Sequence, residues 1–86
     1  MPRLSAFYGI VIYMNWREHQ PAHFHAVYAE WDTSIEIETL RVIRGTLPPR
    51  ALTMVLDWAT LHQEELKANW VQAQKLAPLA PISPLP

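Results

Sequence analysis

The sequence predicts an α+β domain: a small antiparallel meander of three or four strands, packed by one long C-terminal helix and followed by a Pro-rich tail. Three observations predict it. Residues 7–44 fall into short strand-like runs between polar breaks, the first almost wholly apolar and the later ones alternating apolar and polar side chains. From residue 46 the apolar spacing changes to the helical 3.6, and the last nine residues contain four prolines. With 86 residues the chain has room for one core, so residues 1–76 form a single domain and residues 77–86 a flexible tail. Half of the residues are hydrophobic and 17% are charged, far from the composition of disorder.

The run FYGIVIYMNW at residues 7–16 combines aromatic and β-branched residues and reads as a central strand covered on both faces. Residues 17–22, REHQPA, form a polar connection in which Pro21 ends regular structure. Residues 23–30, HFHAVYAE, alternate, with His23, His25, Val27 and Ala29 on one side and Phe24, Ala26 and Tyr28 on the other. Trp31 and Asp32 turn the chain into a strand at 33–38, where Ile35 and Ile37 oppose Ser34, Glu36 and Glu38. Leu40 to Arg44 gives a short last strand, and Gly45 supplies the exit.

Thr46 is the predicted helix N-cap, with Pro48 and Pro49 in a first turn whose amides need no intrahelical partner. The helix extends to about Gln74, with Leu52, Val55, Leu56, Ala59, Leu66, Trp70 and Ala73 on one stripe facing the sheet. Met54 and Trp58 fall beside that stripe and Leu61 nearly opposite it. This surplus apolar surface marks a partner-binding face, for a small protein or a second copy of the chain.

Seven Lys and Arg against eight Asp and Glu leave a net charge of −1, so a polyanion would meet only a local basic patch. The absence of cysteine excludes a disulfide framework, a thiolate nucleophile, a zinc ribbon and an iron–sulfur cluster. No apolar run approaches the roughly 20 residues of a membrane span, and a cytoplasmic location is expected by elimination.

Chemistry concentrates in HQPAHFH, which holds three of the four histidines. His23 and His25 share a strand face with backbones about 7 Å apart, and His19 can fold toward them across Pro21. Three imidazoles suit Zn or another divalent transition metal, with Glu36 or Glu38 on the neighbouring strand to orient a ring. The same histidines, with Arg17 against phosphate, also supply the base, acid and cation of metal-independent RNA cleavage. A third reading leaves them structural, bonded to carbonyls at the start of a strand set by Phe24. Arg41, Arg44 and Arg50 lie near the sheet-to-helix junction, where guanidinium groups can grip an anion or simply solvate the surface.

The opening MPRLSAFYGIVIYM, the segment REHQPAHFHAVY, the strand IEIE and the helical RALTMVLDWATLHQEELKANW together resemble the small prokaryotic family catalogued as domain of unknown function 4160, over about residues 1–76. The chain departs from that pattern at Thr39 to Arg41, where the family often has a Gly and this sequence has Leu40. The resemblance implies an α+β domain. It also implies a toxin–antitoxin-like gene context, because the family's genes often adjoin those of another small family, catalogued as 2442. A toxin-like module would be a His-dependent endoribonuclease without a cofactor, with Arg17, His19, His23 and His25 at its site and a small antitoxin-like protein on its helix. The rival expectation is a non-enzymatic metal-binding or protein-interaction module built on the same histidines.

Overall fold

The computed structural model describes residues 2–86. Five strands, β1 (Arg3–Phe7), β2 (Ile10–Tyr13), β3 (His23–Tyr28), β4 (Trp31–Glu36) and β5 (Val42–Gly45), form one antiparallel sheet in sequential order. Two helices follow, α1 (Pro49–Leu61) and α2 (Gln63–Gln74). The α+β class stands, with one strand more than the three or four read from the sequence.

The extra strand comes from the run at residues 7–16, which is not one strand. Tyr8 and Gly9 have φ of 50° and 81°, the positive pair that a two-residue hairpin turn of matching twist requires, and they separate β1 from β2. A continuous apolar run hides such a turn, because Tyr8 is apolar in pattern yet exposed at the tip. The β3–β4 turn also lies earlier than expected, at Ala29 and Glu30, so Trp31 and Asp32 belong to β4. Before β5, Leu40 takes φ 58° and its N–H donates to the Glu36 carbonyl, a position where glycine would be unstrained.

The strand period decides what each face does. Ile10, Ile12, Phe24, Ala26 and Ile35 are fully buried beneath the helices. The opposite face carries Tyr13, His23, His25, Ser34 and Glu36, where register pairs Tyr13 with His25, His25 with Ser34, and His23 with Glu36. One sheet face is therefore core and the other is available for chemistry.

The single long helix is corrected to two. The chain leaves helical geometry at His62 (φ −123°, ψ 23°), whose N–H reaches back to the Ala59 carbonyl. Tertiary contacts gather at this break: the His62 ring packs on Trp58 at 5.5 Å, and the Gln63 amide donates to the carbonyls of Ile37 and Glu38 at 2.7 and 3.0 Å. Pro48, rather than Thr46, occupies the N-cap position, while the Thr46 N–H bonds to the Asp32 carbonyl instead. The buried face runs through Ala51, Val55, Trp58 and Ala59, then Leu66, Asn69, Trp70 and Ala73. Leu52 and Leu56, expected at its centre, are only half-buried. Trp58 is fully buried, against Phe7 at 5.6 Å and Phe24 at 5.9 Å, so it belongs to the core and not to a partner-binding face.

The Pro-rich segment 77–86, expected to be flexible, lies along the body. Ile82 is buried and its N–H donates to the Leu4 carbonyl on the edge strand β1. Asn69 bonds both ways to the backbone of Ala80, and the Trp58 indole donates to the Ser83 carbonyl. Proline lacks an N–H for a ladder, so side chains from the helices satisfy this backbone. Among the described residues, no helix is long and apolar enough to cross a membrane.

Candidate functional site

His23 and His25 are two residues apart on β3, so both rings leave the sheet on the side away from the core. Packing fixes them. The His25 ring stacks on Tyr13 at 4.7 Å, His23 meets His25 edge-on at 5.0 Å, and His23 packs against Trp70 of α2 at 5.4 Å.

Their nitrogens are equally constrained. His23 Nδ1 lies 2.8 Å from the Pro21 carbonyl, and a carbonyl only accepts, so Nδ1 carries the proton. His25 Nδ1 lies 3.1 Å from the Ser34 hydroxyl, which can donate or accept and thus serves either tautomer. Both Nε2 atoms are left pointing at one carboxylate: Glu18 Oε1 is 2.5 Å from His25 Nε2, and Glu18 Oε2 is 3.3 Å from His23 Nε2.

Glu18 comes from the β2–β3 connection, which α2 holds in place through the Arg17 N–H on the Ala73 carbonyl and the Gln74 amide on the Glu18 carbonyl, each at 3.4 Å. Partial burial pushes the Glu18 carboxyl up. The His25 hydrogen bond and the charges of His25 and His23 outweigh that, and the net result lies below the ordinary carboxylate value. Burial raises the Tyr13 phenol, and the charges of Asp32 and Glu18 add to the rise.

Glu18, His23 and His25 offer one ligand atom each, all within 4.8 Å of one another. They open onto a pocket of about 390 Å³ whose walls also include His19, Ile43 and Arg44. A smaller one, of about 190 Å³, lies between Tyr8, Tyr28, Arg50 and Met54.

The residues singled out from the sequence therefore separate. His23 and His25 converge, and His19 stands exposed on the pocket wall outside the three-residue cluster. Arg17 is exposed at φ 55° and does not line the pocket; Arg44 is the arginine that does. Glu36 faces His23 in register, but its carboxylate accepts from Thr39 Oγ1 at 2.6 Å, and Glu38 pairs with Lys67 at 3.2 Å. The carboxylate that meets the imidazoles is Glu18, which sequence reasoning passed over. Its signal was its place in the same polar connection as the histidines, in EHQPAHFH.

The model of the family described as domain of unknown function 4160 matches residues 9–71, which span β2 through most of α2 and contain the whole cluster. The chain belongs to that family. In this member of domain of unknown function 4160, the HQPAHFH segment corresponds to the β2–β3 connection and the start of β3. No curated protein and no solved structure matches the chain.

Proposed function

We propose that the protein binds one divalent transition metal ion through Glu18, His23 and His25, with its remaining coordination positions open to the pocket. One observation carries this reading. His23 Nδ1–H is committed to the Pro21 carbonyl, so in the neutral ring the Nε2 lone pair faces a Glu18 carboxylate oxygen across 3.3 Å. Two acceptors so placed require a cation between them, a proton or a metal ion. Imidazoles tied back through Nδ1 and converging through Nε2 are the arrangement in which backbone and hydroxyl groups orient metal ligands. A carboxylate with two imidazoles suits Zn or Fe(II) with open positions. Ligand atoms about 2.0–2.2 Å from one tetrahedral ion lie roughly 3.3–3.6 Å apart, so an ion would open the Glu18–His25 approach of 2.5 Å while holding all three groups at one point.

The test is zinc and nickel content after dialysis, with calorimetric titration, on the wild type, on Glu18→Gln and on the His23→Ala/His25→Ala double variant. Circular dichroism reports folding in parallel. One equivalent in the wild type, lost in a folded Glu18→Gln protein, is the expected result. A wild type that takes up no metal at micromolar concentration overturns it.

A second reading has support of its own. His19 and Arg44 line the same pocket as His23 and His25, which places proton-transfer groups and a cation around one cavity, the set needed for metal-independent phosphodiester cleavage by a toxin-like module. RNA cleavage that persists in chelator-treated protein would favour it. The small cognate protein implied by the family resemblance would meet the exposed Leu61 and the half-buried Met54, because Trp58 is inside the core.

A further inference from the structure

The β4–β5 ladder contains one irregularity. Ser34 pairs with Arg44 and Ile35 with Val42, so Ile43 is an inserted residue with no partner on β4. In regular alternation Ile43 and Arg44 would point to opposite faces. The bulge breaks that alternation, and both residues line the pocket beside the Glu18, His23 and His25 cluster. Among the described residues no carboxylate pairs with the Arg44 guanidinium. Arg44, with no carboxylate partner, thus lines the same pocket as a metal-type cluster, with Ile43 adjacent to it.

We propose that Arg44 is the anion-recognition residue of this pocket and that the ligand is a phosphate monoester. This rests on the metal reading above. A divalent ion held by one carboxylate and two neutral imidazoles keeps one positive charge, and Arg44 adds a second. A monoester dianion neutralises both, whereas a carboxylate or a phosphodiester neutralises one. Its three terminal oxygens can meet the metal and the forked donors of Arg44 at the same time. Ile43 then covers the organic group of the ester.

Phenyl phosphate and methyl phenyl phosphate are titrated into zinc-loaded wild type, Arg44→Gln and Arg44→Lys, with zinc content and circular dichroism measured on each protein. Expected is preferential binding of the monoester, weakened roughly ten- to a hundredfold in Arg44→Gln at unchanged zinc content, with Arg44→Lys between the two. Unchanged phenyl phosphate affinity in a folded, zinc-loaded Arg44→Gln protein overturns the role of Arg44 while leaving the metal site standing. Equal affinity for the diester overturns the assignment of a monoester. A wild type without zinc fails at the earlier step and removes both proposals.

Discussion

The indole N–H of Trp58 donates to the carbonyl of Ser83 at 2.8 Å, which joins the last turn of α1 to the Pro-rich C-terminal segment. Trp58 is fully buried, and the segment that satisfies its one polar atom also buries Ile82 and bonds both ways to Asn69. Chain ends are loose only where nothing ties them down. The Pro-rich segment is tied to both helices on one side and to the edge strand β1 on the other.

Ending the chain after Ala77 should therefore destabilise the domain by roughly 3–5 kcal/mol, from the lost burial of Ile82 and the lost partners of Trp58 and Asn69. Urea unfolding of the full and shortened chains measures it. An unchanged midpoint would mean that the segment contributes nothing in solution.

Gly45→Ala should cost more than about 2 kcal/mol. A Cβ there would stand 2.3 Å from the Asp32 carbonyl oxygen, and φ is 70°, so strain and backbone collision act together. Gly9→Ala is the milder comparison, since its Cβ would meet only the movable Tyr28 ring, at 3.3 Å. Thermal unfolding should rank Gly45→Ala as the less stable of the two.

Ala29→Gly acts in the opposite direction. Ala29 is exposed in the β3–β4 turn at φ 52°, where a Cβ costs about 1–2 kcal/mol that glycine avoids, against about 0.5–1 kcal/mol of added chain entropy. A gain of roughly 0.5–1 kcal/mol in a denaturant melt is expected, and a loss would contradict the reading of that turn.

The acid limb of stability should depend on Glu18. Its carboxyl is held below the ordinary value in the fold, because the His25 hydrogen bond and the two imidazole charges outweigh burial. A carboxylate depressed on folding stabilises above its unfolded value, about 4.3, and that contribution is lost as pH falls through the lower folded value. In metal-free protein, Glu18→Gln should lose roughly 1–2 kcal/mol near pH 6, and the gap to the wild type should begin to close as pH falls below about 4.3. Parallel curves across that range would show that Glu18 is not the group involved.

The histidine face was legible because strand alternation is a local rule: residues 23 and 25 share a side whatever the rest of the chain does. The same rule puts Glu36 on that face, across from His23 on the neighbouring strand, yet it could not show that Thr39 occupies the Glu36 carboxylate. Glu18 was not legible as a partner, because a connection has no period. Its position depends on anchoring of that connection to α2, through Ala73 and Gln74.

Composition and period alone were enough for the α+β class, the single core, the strand carrying His23 and His25, and a helical C-terminal half, since each follows from the spacing of apolar residues along the chain. Tertiary structure decided the Tyr8–Gly9 hairpin, the break at His62, the docking of the Pro-rich segment, and the choice of Glu18 and Arg44 as neighbours of the histidines. Each of these turns on a hydrogen bond, a bulge or a positive φ. Apart from the Tyr8–Gly9 turn, they depend on groups distant in sequence, which the spacing of apolar residues does not record.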